Sequence, residues 1–464
     1  MDGLMKLSDQ IRNGELAPSE LMQQTLKRVE ERRDINAIVA LNRQHAVDHA
    51  READKEVLEN YKGPLHGIPL TVKDAFATKH LPTTFGTPVR YRCKHNAAVV
   101  DRLESAGAII IGKSNLPTIS FDWQCNHPRY GITRHPLNSH FSPGGSSGGA
   151  AAAVAAGIVP GEIGSDIAGS LRLPAGLCGV NSIRPTEGIV SLAGHMAIPF
   201  TRPLKSLIDV GPIARSIDDL EILFKAISDL DPPDTFKPLT RVGIRMDFPD
   251  ARISYSVIEV IEEAISKLRQ AGVEVIQDPP GIDYGEALRT WGHICGYELK
   301  HLTRMYMPRW LQPAYSYLFE WRYSKHLITT SLGEGMAMSK KDYLRVQARR
   351  TELMQVYDEH LQSYDALLTP VCGMDALPIC KTGSAFQIDG EAASYADPFA
   401  TYNAATATFG HPVVVSNAGY SVNNLPVGIQ IHGRRYQDYQ LLAHARAVEL
   451  IMKNEPSLME AVVG

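Results

Sequence analysis

An α/β fold in one large domain is what this sequence predicts, and three observations carry the prediction. Helices with one apolar face alternate with short apolar strands, as where residues 97–107 lead through Gly107 into 108–112. No internal repeat, low-complexity linker or composition break divides the 464 residues. Hydrophobic residues make up 44% and charged residues 21%, the balance of a soluble enzyme with a large core.

The elements follow in order. Pro18, Ser19 and Glu20 open a helix that carries Leu21, Met22, Thr25, Leu26 and Val29 on one face. Residues 36–41 read as a strand, and a helix rich in Ala, Asp and Glu runs to about Tyr61. Residues 67–74 form an apolar run that ends in Lys73 and Asp74, so a strand should carry a lysine at its C-terminal end. Residues 242–245 begin another strand. A helix over 256–271 stops at Gly272 before a strand at 273–276. Trp291, Trp310 and Trp321 crowd the stretch from 280 to 335, which predicts a mostly helical insert near 280–340. A long polar helix (339–361), strands at 366–370, 412–415 and 428–431, and a last helix (437–451) complete the chain.

Composition removes several function classes. A formal net charge of −4 gives no bulk attraction to nucleic acid or an anionic membrane. The six cysteines are scattered, with no CxxC pair and no zinc-like spacing to histidine. Free thiols in a reducing compartment are therefore expected, with no metal site. The N-terminus lacks a basic segment followed by an apolar run, and the apolar stretch 150–160 is too short to span a bilayer. A cytoplasmic protein with no membrane or nucleic-acid partner is the expectation.

Two glycine-rich segments carry the chemistry. Ser142-Pro143-Gly144-Gly145-Ser146-Ser147-Gly148-Gly149 precedes an alanine run that is a strong helix former. A glycine turn feeding a helix N-terminus makes a cradle of N–H groups. It is not a Walker A loop, because no Gly-Lys-Ser/Thr follows. Further on, Gly164-Ser165-Asp166-Ile167-Ala168-Gly169-Ser170-Leu171-Arg172 again packs small residues around a serine. There the N–H groups of Ile167, Ala168, Gly169 and Ser170 could face a developing oxyanion.

These segments resemble the amidase signature family. Further matches run in family order: residues 67–74 with Lys73, Gly112-Lys113-Ser114-Asn115-Leu116-Pro117, Arg184-Pro185-Thr186-Glu187-Gly188, Gly211-Pro212-Ile213-Ala214-Arg215-Ser216, and Leu425-Pro426-Val427-Gly428-Ile429-Gln430. The resemblance implies a mixed, twisted central sheet flanked by helices. It implies a Ser–cis-Ser–Lys triad with Ser170 as nucleophile, Ser146 as bridge and Lys73 as base, and a cis peptide before Ser146. Ile167, Ala168 and Gly169 would form the oxyanion hole. Counting back from Ser146 assigns Ser120, Gln124 and Cys125 to the substrate pocket. The chemistry is coherent on its own terms: serine needs a base, a lysine serves only when neutral, and burial lowers its pKa. Ile167-Ala168 stands where the family often has Thr-Gly or Ile-Gly, which puts the oxyanion turn in question, since alanine resists positive φ. Asn181-Ser182-Ile183 before Arg184 is a second departure, read as packing variation.

The implied activity is hydrolysis of a carbon–nitrogen amide bond in a small molecule, without metal or organic cofactor, by a monomer or homodimer. The alternative is the catalytic subunit of a tRNA-dependent amidotransferase working in a complex. The segment 188–211, with His195 and residues 199–203, reads closer to stand-alone amidases. Gly145-Ser146-Ser147-Gly148-Gly149 also matches a nucleophile elbow centred on Ser147, but no strand leads into it. His66, His135 and His140 lie near the motifs and read as bystanders. Arg304, Arg309 and Arg322 are candidates for binding an acidic substrate, and nothing in the sequence ranks them.

Overall fold

Ile109, Ile110 and Ile111 show how this sequence builds its centre. Ile110 packs with the apolar cluster on one face of the sheet, and Ile109 and Ile111 pack with the cluster on the other. Side chains alternate along a strand, so an uninterrupted apolar run needs cover on both faces. The computed structural model describes residues 1–57, 60–198, 204, 206–303, 317 and 320–454. The expectations for residues 199–203, Arg304, Arg309 and Trp310 lie outside them.

Eleven strands form the main sheet: β1 (Ile38–Leu41), β2 (Pro69–Lys73), β3 (Ile109–Ser114), β4 (Gly161–Asp166), β5 (Asn181–Arg184), β6 (Asp209–Ala214), β7 (Arg241–Ile244), β8 (Glu274–Gln277), β9 (Ala366–Pro370), β10 (Val413–Tyr420) and β11 (Pro426–His432). Their order is β1-β3-β2-β4-β6-β5-β10-β11-β9-β7-β8. The sheet is mixed. β3, β2 and β4 run parallel side by side, with Lys73 level with Ser114 and Val72 level with Ile163. β4, β6, β5, β10, β11 and β9 then alternate in direction, and β9, β7 and β8 return to parallel.

Helices Ala98–Ser105, Ile217–Ile227, Tyr255–Gln270 and Asp438–Met452 cover one face. Helices Pro18–Glu31, Arg43–Glu56, Gly148–Ala155 and Arg172–Cys178 cover the other. A third apolar cluster joins the helices Tyr284–Thr303, Leu327–Ala337 and Lys340–His360 to residues 400–409. Its members include Ile167, Ala168 and Trp291, so the described helices of the 280–340 stretch pack directly against the second glycine-rich segment. All six cysteines are free. Among the described residues, no helix is long and apolar enough to cross a membrane.

Candidate active site

The parallel trio β3-β2-β4 brings two C-terminal ends together. Lys73 ends β2 and Asp166 ends β4, and the crevice beyond such ends is where open α/β sheets bind ligands. Lys73 is fully buried, and its Nζ donates to Ser146 Oγ at 2.7 Å, to Ser165 Oγ at 3.1 Å and to the Ser165 carbonyl at 3.4 Å. Burial disfavours the ammonium and lowers the lysine to about 7, against weaker opposite pulls from Cys125 and Asp166. Near neutrality this amine therefore exists in both forms.

Ser146 stands just before the helix Gly148–Ala155, and the Gly145–Ser146 peptide is cis. Gly149 lets that helix end press against the main chain after β3: a Cβ there would sit 2.3 Å from the Asn115 nitrogen. Ser147 is buried as well, but its Oγ donates to the Ser165 carbonyl at 3.2 Å and its N–H to the Ser170 carbonyl at 3.1 Å. It braces the two glycine-rich segments and does not line the cleft, which removes the structural basis for an elbow at Ser147.

Two cavities meet at Ser170. One is walled by Phe121, Asp122, Trp123, Trp291, Tyr323 and Leu332. The other is walled by Ser146, Ser165, His195, Met196, Ile198 and Ile208. Ser120, Phe121, Ile167 and Ser170 belong to both. Ile119 and Ser120 hold consecutive positive φ values of 45° and 58°. That conformation is unusual for a β-branched residue and tends to occur at ligand sites.

Asp166 shapes the turn before Ser170. Its carboxylate accepts from the N–H groups of Gly169 (2.8 Å) and Leu171 (3.1 Å) and pairs with Arg172 at 2.9 Å. Burial opposes its ionisation, but Arg172, with Arg184 beyond, outweighs burial and holds the carboxyl well below its ordinary range. Arg172 is in turn held by Thr406 Oγ1 at 2.8 Å and Gln430 Oε1 at 2.9 Å. Two indoles hold the turn from the other side: Trp291 donates to the Ile167 carbonyl (2.8 Å) and Trp123 to the Ala168 carbonyl (3.1 Å). In a trans peptide the N–H points opposite to the C=O. The Ala168 N–H is therefore directed away from Trp291, and the Gly169 N–H away from Trp123 and onto Asp166.

This corrects the expectation for Gly169. Its N–H is already committed to Asp166, so of the predicted donors Ile167, Ala168 and Ser170 remain. The alanine is accommodated because the left-handed step falls one residue later, on Gly169 at φ 97°, while Ala168 keeps a negative φ. Of the three pocket residues, Ser120 lines the cleft, and Gln124 and Cys125 do not. The Gln124 amide bonds to Cys380 and to the Tyr395 hydroxyl. Cys125 donates to Thr133 Oγ1 at 3.3 Å and packs beneath Gly148. Phe121, Asp122 and Trp123 occupy the wall instead.

His66 and His135 bond to the carbonyls of Ala53 and Leu177, and neither lines the cleft. His195 does, although the motif matches assign it no role there. Its Nε2 lies 2.9 Å from Ser165 Oγ, one step from Lys73. Burial, reinforced by Lys73, pushes it down to about 3, so the ring is neutral. Ser165 belongs to the second glycine-rich segment, but its contact with His195 joins β4 to a loop 30 residues on, and no local pattern signals it. Arg322 is exposed and stacks over Tyr323 at 5.6 Å; it is absent from the cleft walls.

A sequence profile of the amidase family matches residues 20–442. Curated relatives include a glutamyl-tRNA(Gln) amidotransferase subunit from Legionella pneumophila (strain Corby), 30% identical over 95% of both chains. The protein of the same description from Exiguobacterium sibiricum is 32% identical over 97% of both. A solved structure described as that of an amidase superimposes with a TM-score of 0.83 at 27% identity, covering 98% of this chain and 100% of that one. With the profile spanning most of its length and these relatives matching it nearly end to end, the chain belongs to the amidase signature family of hydrolases.

Proposed function

We propose that this protein hydrolyses small amides through an acyl-enzyme on Ser170. The observation that carries the reading is the buried Lys73 amine, 2.7 Å from Ser146 Oγ and close to neutrality, in the same cleft as Ser170. Neutral Lys73 takes the Ser146 hydroxyl proton while Ser146 takes that of Ser170, since a hydroxyl both donates and accepts. Ser170 Oγ attacks the carbonyl carbon. The N–H groups of Ile167 and Ala168 stabilise the oxyanion, an effect worth on the order of 10²–10³-fold per donor. Lys73 then returns the proton through Ser146 to the leaving nitrogen, the C–N bond breaks, and amine or ammonia departs. Water attacks the acyl ester by the same relay and releases the acid.

The cleft also supports a substrate class. Its walls are aromatic and aliphatic on both sides of Ser170. Among the described lining residues the only acid is Asp122, whose pKa burial raises. No described arginine lines it to bind a carboxylate, so neutral amides with apolar groups fit best.

A second reading has the names of the curated relatives behind it: a glutamyl-tRNA(Gln) amidotransferase catalytic subunit. A substrate with an α-carboxylate would want a cation in the cleft, and among the described lining residues there is no arginine or lysine. The test is the purified chain with an aryl or alkyl amide and no added protein. Turnover by a monomer or homodimer, lost in Ser170→Ala together with fluorophosphonate labelling at Ser170, is expected. Labelling at Ser147, or turnover only with partner subunits, would contradict the proposal.

A further inference from the structure

Away from the cleft, the fold assembles a group of metal-ligand side chains that sequence spacing conceals. His45 and His49 stand one helical turn apart on the helix Arg43–Glu56. His80 belongs to the loop after β2, and Glu104 to the helix Ala98–Ser105. One ring nitrogen each from His45 and His80 and one carboxylate oxygen from Glu104 lie within 4.8 Å of one another. The His45 ring stacks on His80 at 3.7 Å and meets His49 at 3.8 Å. Glu104 Oε1 is 3.7 Å from His80 Nε2. All line a solvent-open groove that shares no residue with the cleft walls.

The surroundings orient these groups as outer partners orient metal ligands. Asn96 Nδ2 donates to Glu104 Oε2 at 2.9 Å, which leaves Oε1 as the oxygen turned to His80. The same Asn96 accepts from the Lys79 N–H at 2.8 Å, so it ties the carboxylate to the loop that carries His80. His49 Nδ1 bonds to the His45 carbonyl at 2.9 Å, which leaves Nε2 as its other ring nitrogen. His80 Nε2 lies 3.2 Å from the Ile110 carbonyl; a metal at Nε2 would displace that proton, and one at Nδ1 would leave it.

We propose that His45, His80 and Glu104, with His49 as a fourth ligand, bind one divalent transition-metal ion, of which zinc is the best match. Two or three imidazoles and one carboxylate suit zinc and its neighbours and do not suit magnesium or calcium. The ligands come from two helices and a loop. Tetrahedral zinc–nitrogen and zinc–oxygen bonds of about 2.0–2.2 Å would require these side chains to close in by rotation. The ion would thus clamp three segments at the start of β3 without touching the reacting atoms.

The test uses full-length, tag-free protein stripped with a chelator and dialysed. Zinc binding is read by competition with a chromophoric chelator, and Tm with and without zinc, magnesium or calcium. One zinc per chain with a Kd in the micromolar range or tighter, and a rise in Tm of several degrees with zinc alone, is expected. Glu104→Gln keeps the shape of the side chain, and His45→Ala removes a ring. Each should weaken zinc binding at least tenfold while amide hydrolysis stays unchanged, because neither residue lines the cleft. Absence of saturable binding below about 100 µM in the wild-type protein would overturn the proposal. So would binding that both variants, folded by circular dichroism, leave unaltered.

Discussion

Lys73 and Lys113 make a natural experiment. They lie on neighbouring parallel strands, are both fully buried, and are both lowered by burial, to about 7 and about 8. The register pairs Lys113 with Val72, so it lies on the other face of the sheet from Lys73. Lys73 meets two hydroxyls, Ser146 and Ser165, at the floor of a cleft. Lys113 donates to the Phe76 carbonyl and sits in the field of Asp74 and Glu162. Burial alone therefore does not make a base. A lysine whose partners are a carbonyl and carboxylates can only hold its proton there; one whose partner is a hydroxyl open to a cleft can pass it on.

The contrast predicts unequal mutants. Lys73→Ala should lower kcat/KM for an amide by roughly 10²–10⁴-fold, the usual scale of a lost general base, whereas Lys113→Met should leave it within a few-fold. Comparable losses in the two would break the comparison. Stability should show the reverse order. Lys113→Met removes the cation facing buried Asp74, and a lost buried charge-assisted hydrogen bond costs on the order of 1–3 kcal/mol. Its Tm should fall by several degrees, with the turnover of the folded fraction preserved.

Rate against pH sharpens the same point. The Lys73 pKa is depressed to about 7, so below it the ammonium cannot accept a proton and above it the free amine can. Wild-type kcat/KM should rise with a single inflection near pH 7 and level off, and Lys113→Met should retain that inflection. His195→Leu removes the polar group beyond Ser165. As a positioning residue, its loss should reduce kcat roughly tenfold with little change in KM, an effect at the low end of acid–base contributions. It should also move the inflection to lower pH as Lys73 becomes drier. An unmoved inflection would reduce His195 to packing. The smallest effect is none at all: chelation should not change the initial amidase rate, because the residues proposed to react are a lysine, two serines and main-chain N–H groups.

Much of this site is legible in the sequence, and the reason is locality. An apolar run ending in a charge marks a buried strand with Lys73 at its tip, and two glycine-rich segments mark turns where main chain approaches a ligand. What could not be read depends on contacts across the chain. Trp291 reaches back 124 residues to the Ile167 carbonyl, and Arg172 reaches forward 258 to Gln430. Those contacts decide which N–H groups of the 167–170 turn remain available, and Gly169 drops out. Counting along the chain points to Gln124 and Cys125, but it fixes nearness in sequence and not the direction of a side chain. The loop turns both behind the wall and presents Phe121 and Trp123. The same limit hid His45, His80 and Glu104, which meet only because β3 brings two helices and a loop together.

The measurement closest to the central claim is kcat/KM for a matched amide and ester of the same acyl group, in wild type and Lys73→Ala. An amide nitrogen needs a proton to leave and an ester oxygen needs it less. If Lys73 delivers that proton through Ser146, the mutant loses far more on the amide, and its amide-to-ester ratio falls by at least tenfold. Equal losses on both substrates would contradict proton delivery by Lys73, and wild-type rates on both would remove Lys73 from the mechanism.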